Sequence, residues 1–245
     1  MSKAPPHLVV QGLRKDYPAP GGGMRTLFSG LDFELPKSDR LAILGRNGQG
    51  KSTLIKILGG VLAATAGTVS WGMSASWPLG LAGGFQGGLS GMDNIRFISR
   101  IYGRPMDEIL ERAEGFAELG PALSMPMKHY SSGMRARLAF GLSLAIEFDC
   151  YLIDEVIAVG DASFREKCEH ELFARRADRA FIIASHDLPF LKHVCNRGLI
   201  IEGGQAKLFE DIDLAVDIYA AMSERLSEEA EGRLSLKPLA PVGGR

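Results

Sequence analysis

The chain has 245 residues, of which 46% are hydrophobic and 23% charged. That balance excludes an intrinsically disordered chain and is ample for one good core. A formal net charge of −1 excludes a default reading as a basic nucleic-acid binder. No apolar stretch reaches the ~20 residues of a membrane helix. The opening MSKAPPHLVV has no apolar core of signal-peptide length. The protein is therefore expected to stay where it is made unless a partner carries it to a membrane. Cys150, Cys168 and Cys195 lack metal-ligand spacing and read as free thiols of a reducing compartment. Glycine is the outlier: 30 residues, about 12% against a usual ~7%.

In chain order, His7 to Leu13 alternates and predicts a strand, and PAPGGG at 18–23 predicts a loop. Asp32 to Leu35 and Arg40 to Leu44 predict two more strands, Lys51 to Leu58 a helix and Thr68 to Trp71 another strand. Gly80 to Gly91 is glycine-rich and polar, which suggests a functional loop. Asp93 to Glu147 is helical in pattern, with breaks at Gly103-Arg104-Pro105 and around Gly120 to Pro126. Strands return at Tyr151 to Ile153, Phe181 to Ser185 and Gly198 to Glu202, where Gly203-Gly204 signals a hairpin. Asp213 to Leu226 reads as a helix, and Gly232 to Arg245 as a flexible tail. Strands alternating with helices predict an α/β fold with a mainly parallel sheet and a helical block inserted between early and late strands. The expected organisation is one domain over 1–231, with its core in 1–84 and 147–222 and the helical part in 85–146.

Gly45-Arg46-Asn47-Gly48-Gln49-Gly50-Lys51-Ser52 fits the phosphate-loop pattern G-x-x-x-x-G-K-[ST] in full, between a strand and a helix. Its glycines let backbone N–H groups turn inward around a phosphate, and the helix N-terminus adds a favourable dipole. Lys51 is placed to reach the β- and γ-phosphates, Ser52 to offer a hydroxyl to Mg²⁺, and Asn47 and Thr53 to line the same nucleotide. Cys150 to Glu155 is an apolar strand ending in two carboxylates, at the sheet edge where open α/β folds bind ligands. Asp154 is expected to hold Mg²⁺ and Glu155 to act as general base on a water. An ordinary strand-to-helix turn explains the first pattern poorly. A strand ending in Asp-Glu is common by itself and gains its meaning from the phosphate loop before it.

Tyr130-Ser131-Ser132-Gly133-Met134-Arg135-Ala136-Arg137-Leu138 resembles the signature of ABC ATPases, whose usual form is LSGGQ before a basic helix. Read alone, it is only a capped basic helix. The surrounding motifs fall in the order of that family. His186, in Ser185-His186-Asp187, matches the switch histidine. Gln86 matches the glutamine that senses Mg²⁺ and the membrane partner. Asp161, in Ala158-Val159-Gly160-Asp161, matches the loop that reaches across a dimer. Tyr17 matches the aromatic that stacks on adenine. The resemblance covers roughly Leu8 to Phe209 and implies a P-loop NTPase core of RecA-like type with an antiparallel part and an inserted helical subdomain. It further implies a homodimer with ATP sandwiched between subunits, Ser131, Ser132 and Gly133 of one copy facing the γ-phosphate held by the other.

The departures from the usual motifs, above all Tyr130 to Leu138 and Asp154 to Cys168, resemble ATPases of bacterial polysaccharide exporters. The stretch from Trp77 to Asn94 is similar to the capsule type, and the short chain after Gly204 leaves no room for an extra carbohydrate-binding domain of the O-antigen kind. This implies an ATPase docked as a 2:2 complex on integral membrane permease subunits, at the cytoplasmic face of the inner membrane. The cargo would be a lipid-linked capsular polysaccharide, with periplasmic and outer-membrane export components beyond. O-antigen or teichoic-acid export, and a soluble non-transport ABC ATPase, are the alternatives. A nucleic-acid partner is not expected, because no basic patch is evident. A P-loop kinase would need neither the Ser131 turn nor His186, and a catalytically dead subunit would not need Glu155.

Overall fold

A computed structural model describes residues 7–19, 21–79, 85–155 and 162–235. Five strands form the central sheet in the order β5 (Cys150–Asp154), β6 (Ala180–Ala184), β3 (Arg40–Leu44), β7 (Arg197–Glu202) and β8 (Gln205–Phe209). The first four are parallel and β8 returns antiparallel from β7. Every residue of β6 is buried, as a strand covered on both faces requires. The turn into β8 takes Gly203 and Gly204 at φ 59° and 82°, the positive angles that a two-residue hairpin demands.

Alternation along these strands splits the core in two. Leu41, Ile43, Leu152, Ile182 and Leu199 face a second, antiparallel sheet. That sheet has the order β2 (Met24–Pro36), β1 (His7–Pro18), β4 (Ala66–Trp71), and α1 (Lys51–Leu58) packs with it. Ala42, Leu44, Tyr151, Ile153, Phe181 and Ile183 face the helices on the other side. These are α2 (Gly91–Ile101), α3 (Met106–Ala117), α4 (Ser132–Ile146), α6 (Leu188–Val194) and α7 (Ile212–Ser235). A further helix, α5 (Ala162–Glu169), runs into a π-turn over His170–Ala174. Residues Leu138 to Ile146 of α4 are all buried, so its C-terminal half is apolar all round and serves as core. Each fully buried Leu there contributes about 1.5–3 kcal/mol.

Most predicted elements are present, and the differences have physical causes. Strand β1 continues past Leu13 to Pro18 because a register shift beside Gly12 (φ 56°) breaks the alternation that marks a strand. Its partner β2 begins at Met24 rather than Asp32, with Gly30 (φ 61°) interrupting its pattern in the same way. The breaks at Gly103 and at Gly120 fall where expected, between α2 and α3 and at a 3₁₀ turn over Gly120–Ser124. Helix α7 passes Leu226 and Gly232 to end at Ser235, so the tail read as flexible from Gly232 begins with helix. Good helix formers, Glu, Arg, Leu and Ala, take all of 224–231 but Ser227 and outweigh one glycine.

Candidate functional site

The C-terminal edge of the parallel sheet carries the chemistry. Strand β3 ends at Leu44, and the chain turns through Gly45, Gly48 (φ 79°) and Gly50 (φ 111°) into α1. Gly50 caps α1 in a left-handed conformation with no side-chain hydrogen bond, and the first turn holds no acidic residue. The leading N–H groups of α1 are thus left for an anion. A β-carbon at Gly50 would overlap Leu27, which closes the loop's outer wall.

Lys51 is only 7% exposed, and its Nζ donates to the carbonyls of Gly45 (2.6 Å) and Arg46 (3.3 Å). Burial lowers its pKa, and the carboxylates of Glu155 and Asp154 oppose that shift. From α1, the Ser52 hydroxyl donates to Oδ1 of Asp154, the last residue of β5, at 2.9 Å. Burial raises the Asp154 pKa, against the hydrogen bond from Ser52. Two hard oxygen donors side by side suit Mg²⁺, which completes its shell with water and phosphate. Among the described residues, no cluster of three or more His, Cys, Asp or Glu could hold a metal by itself.

Glu155 follows with φ 56°, a strained left-handed angle for a side chain of this kind. Its N–H donates to Ala184 O (3.0 Å), which fixes it beside the end of β6. From beyond that end His186 Nε2 meets Glu155 Oε1 at 2.5 Å. Both side chains are about half exposed, His186 by 56% and Glu155 by 49%, so the pair stands in water at the rim.

A cleft of about 250 Å³ joins these parts. Tyr17, Asn47, Gly48, Gly50, Lys51, Ser52, Thr53 and Glu155 line it. Asp154 and His186 adjoin it through Ser52 and Glu155, and Gly45 through Lys51. Gln86, Ser131, Ser132 and Gly133 are not in its lining. Asp161 lies outside the described residues.

The signature turn is built differently. Ser131 caps α4, its Oγ accepting from Met134 N–H at 3.1 Å, and again no acid sits in the first turn. Ser131 Oγ keeps its own proton to donate outward. Two departures from the usual motif have structural reasons. Tyr130 is 3% exposed, and its hydroxyl donates to Ala122 O at 2.6 Å. Its Oη occupies the space where a β-carbon of Gly91 would stand. Met134 packs against the helical core rather than serving as a polar contact.

Two supports were not foreseen. Glu202, at the end of β7, accepts from Arg46 Nη2 (2.5 Å) and Nε (3.0 Å) and from Gln49 Nε2 (3.1 Å), while Gln49 Oε1 accepts from Gly203 N–H (3.3 Å). It ties the outer rim of the phosphate loop to the sheet. Asn94, fully buried in α2, holds the backbone of Gln86. Only the unusual Gln49 within the loop could have hinted at the first. An Asn on the apolar side of a helix was the available signal for the second.

A larger cavity of about 500 Å³ lies among α3, α4 and the π-turn. Its cations are matched: Arg112 with Glu147, Lys167 with Glu118, Arg175 and Arg176 with Glu171, Arg179 with Asp149. Such pairing leaves little attraction for a phosphate, and the cleft at the Gly45–Ser52 turn remains the candidate site.

Residues 28–158 match the ABC transporter family, more than half of the chain. The chain belongs to the ABC transporter family. It is 51% identical over 200 residues to the capsule polysaccharide export ATP-binding protein CtrD of Neisseria meningitidis serogroup B, covering 82% of this chain and 93% of that one. It is 42% identical over 213 residues to the polysialic acid transport ATP-binding protein KpsT of Escherichia coli, covering 86% and 95%. The capsule-type resemblance read from the motif departures is borne out by these relatives. Among solved structures, the ATP binding subunit of an ABC transporter superposes with a TM-score of 0.74 at 20% identity, covering 88% of this chain and 98% of that one. At that identity the likeness speaks for the fold, and it agrees with the ABC ATPase domain expected.

Proposed function

We propose that this chain is the ATP-hydrolysing subunit of an exporter that moves a lipid-linked capsular polysaccharide across a bacterial inner membrane. The observation that supports it best is the gathering of Lys51, Ser52, Asp154, Glu155 and His186 at one cleft, in a chain half identical to a capsule exporter subunit. In this reading the N–H groups of the Gly45–Ser52 turn and Lys51 Nζ bind the phosphates. Ser52, Asp154 and Gln86 would hold Mg²⁺, which would supply positive charge to offset the negative charge of the phosphates. Glu155 accepts a proton from the attacking water, and His186 orients Glu155 and contacts the γ-phosphate. The strained backbone at Glu155 fixes its carboxylate over the cleft mouth. Tyr17, 38% exposed at the rim, offers its ring to the adenine.

Ser131, Ser132 and Gly133 act on the nucleotide of a second copy, since none of them lines the cleft of its own chain. ATP then joins two copies, with Asp161 reaching across, and hydrolysis separates them. The permease docks on the outer face of α2, where Phe97, Ile101 and Tyr102 are 46%, 58% and 40% exposed. No helix among the described residues is long and apolar enough to cross a membrane. Docking on the permease is therefore what places the chain at the cytoplasmic face of the inner membrane, with further export components beyond it.

The test is co-purification with a candidate permease, an integral membrane protein of several hydrophobic spans, followed by ATPase assays with and without lipid-linked glycan. Stimulation by the glycan-loaded permease, and loss of surface polysaccharide in cells carrying only Glu155→Gln, are expected. Full hydrolysis that no permease or glycan alters would overturn the transport reading.

A further inference from the structure

The loop bearing Gln86 is gripped through its backbone. Asn94 Oδ1 accepts from Gln86 N–H at 2.9 Å, and Asn94 Nδ2 donates to Gln86 O at 3.2 Å and to Ser90 O at 2.9 Å. Asn94 is 0% exposed and sits beside Ile95 on the buried side of α2. An unpaired amide buried there would be destabilising, so its value lies in these three bonds. Asn94 does not line the nucleotide cleft.

The same loop is fastened on its other side to the turn that precedes Ser131. Met127 N–H donates to Leu89 O (2.9 Å), Lys128 N–H to Gly87 O (2.8 Å) and Gly91 N–H to Met125 O (3.3 Å). Ser90 and Pro126 form an antiparallel bridge between them. Tyr130 closes the joint, its hydroxyl against Gly91 and its hydrogen bond on Ala122 O.

We infer that Asn94 is the positioning residue for Gln86, and that 86–94 and 125–131 form one stiff joint that delivers any displacement of the Gln86 loop to Ser131. The functional half of this inference rests on the reading of Gln86 and Ser131 as nucleotide-contacting residues; the joint itself does not. Backbone hydrogen bonds that share one fold move together or break together, and a side-chain clamp at one end stiffens the other. A shift of the loop by the membrane partner is then a shift of the signature turn.

The joint is tested by hydrogen exchange on the full chain. Asn94→Asp keeps the shape and the acceptor but sets a carboxylate against the carbonyls of Gln86 and Ser90. Asn94→Leu keeps the branched shape and removes all three bonds. In both, exchange is expected to quicken about tenfold in 85–91 and in 125–130 together, with β3 and β6 as protected as in the wild type. Tyr130→Phe, acting from the opposite side, is expected to quicken the same two segments. Quickening confined to 85–91 would refute a stiff joint, and quickening spread into β3 and β6 would make Asn94 a general core residue.

Kinetics in the reconstituted permease complex test the positioning role. For Asn94→Asp, kcat is expected to fall about tenfold with KM for ATP within about threefold, because the loss is one of alignment rather than of nucleotide contact. A raised KM with unchanged kcat overturns it. Gln86→Ala runs beside it: if that variant keeps full kcat, the reading of Gln86 fails, while the exchange result still decides the joint.

Discussion

Helices α1 and α4 both begin at a small residue with no acid in the first turn, yet their N-termini are finished in opposite ways. Gly50 gives α1 no side-chain cap, so its N–H groups stay open inside a cleft that already holds Lys51 and Ser52. Ser131 caps α4 from its own side chain and does not line that cleft. Helix α2 is the contrast to both: Ser90 caps it and Asp93 occupies its first turn, which repels anions. An open cap inside a basic cleft can bind phosphate unaided. A self-capped one retains a single outward hydroxyl and needs the rest of its site from elsewhere.

This contrast can be broken at several points. Glu155→Gln is expected to reduce ATP turnover by about 10²–10⁴-fold while ATP binding persists, measured by single-turnover hydrolysis and equilibrium binding. Near-normal turnover would remove the base from Glu155. Lys51→Ala deletes the buried cation and is expected to weaken ATP binding by about 10–100-fold in the isolated chain, read by titration calorimetry. Ser131→Ala should leave binding to one copy intact yet weaken ATP-driven pairing of two, seen by sedimentation, and should cost about 1 kcal/mol of stability through the lost cap. If Ser131→Ala weakens binding to the single copy as much as Lys51→Ala does, the two helix ends are not different in kind. Tyr130→Phe removes the hydroxyl bond to Ala122 O, which keeps only the Met125 N–H, and is expected to cost about 1 kcal/mol in denaturant unfolding.

The smallest expected effect is one of pH, away from both helices. Asp149 is partly buried, which pushes its pKa up, but hydrogen bonds from Lys37 and Ser74 outweigh this and bring it down to about 2. A depressed folded-state pKa stabilises the fold above the unfolded value near 4, and that stability fades as pH falls toward 2. Asp149→Asn is expected to flatten the acid limb of the stability curve between about pH 4 and 2, checked by thermal melts. The Asp149 carboxylate is accessible enough for solvent to moderate this effect.

The phosphate cleft was legible in the sequence because Gly45 to Thr53 is contiguous and its geometry is local. Asp154, Glu155 and His186 were legible because each follows an apolar strand, and parallel strands deliver their C-terminal ends to one edge. Glu202 was not, since it meets Arg46 from across the sheet and nothing near position 202 marks it as a partner. Asn94 was not, because an Asn near a helix start reads as a solvated residue until its burial is known. The second half of β1 was hidden by the irregularity at Gly12, where the period of two that signals a strand is lost.

The fit of Tyr130 into the space above Gly91 also restricts how such chains can vary. A β-carbon at position 91 would collide with the Tyr130 hydroxyl where it now lies, so the two positions are expected to be compatible only as a pair. Grafting the Tyr130 turn onto a relative with any larger residue at the start of its equivalent helix would fail sterically, and a matching glycine exchanged at the same time would restore it. Two positions thirty-nine residues apart thus act as a compatibility code for swapping parts between these ATPases.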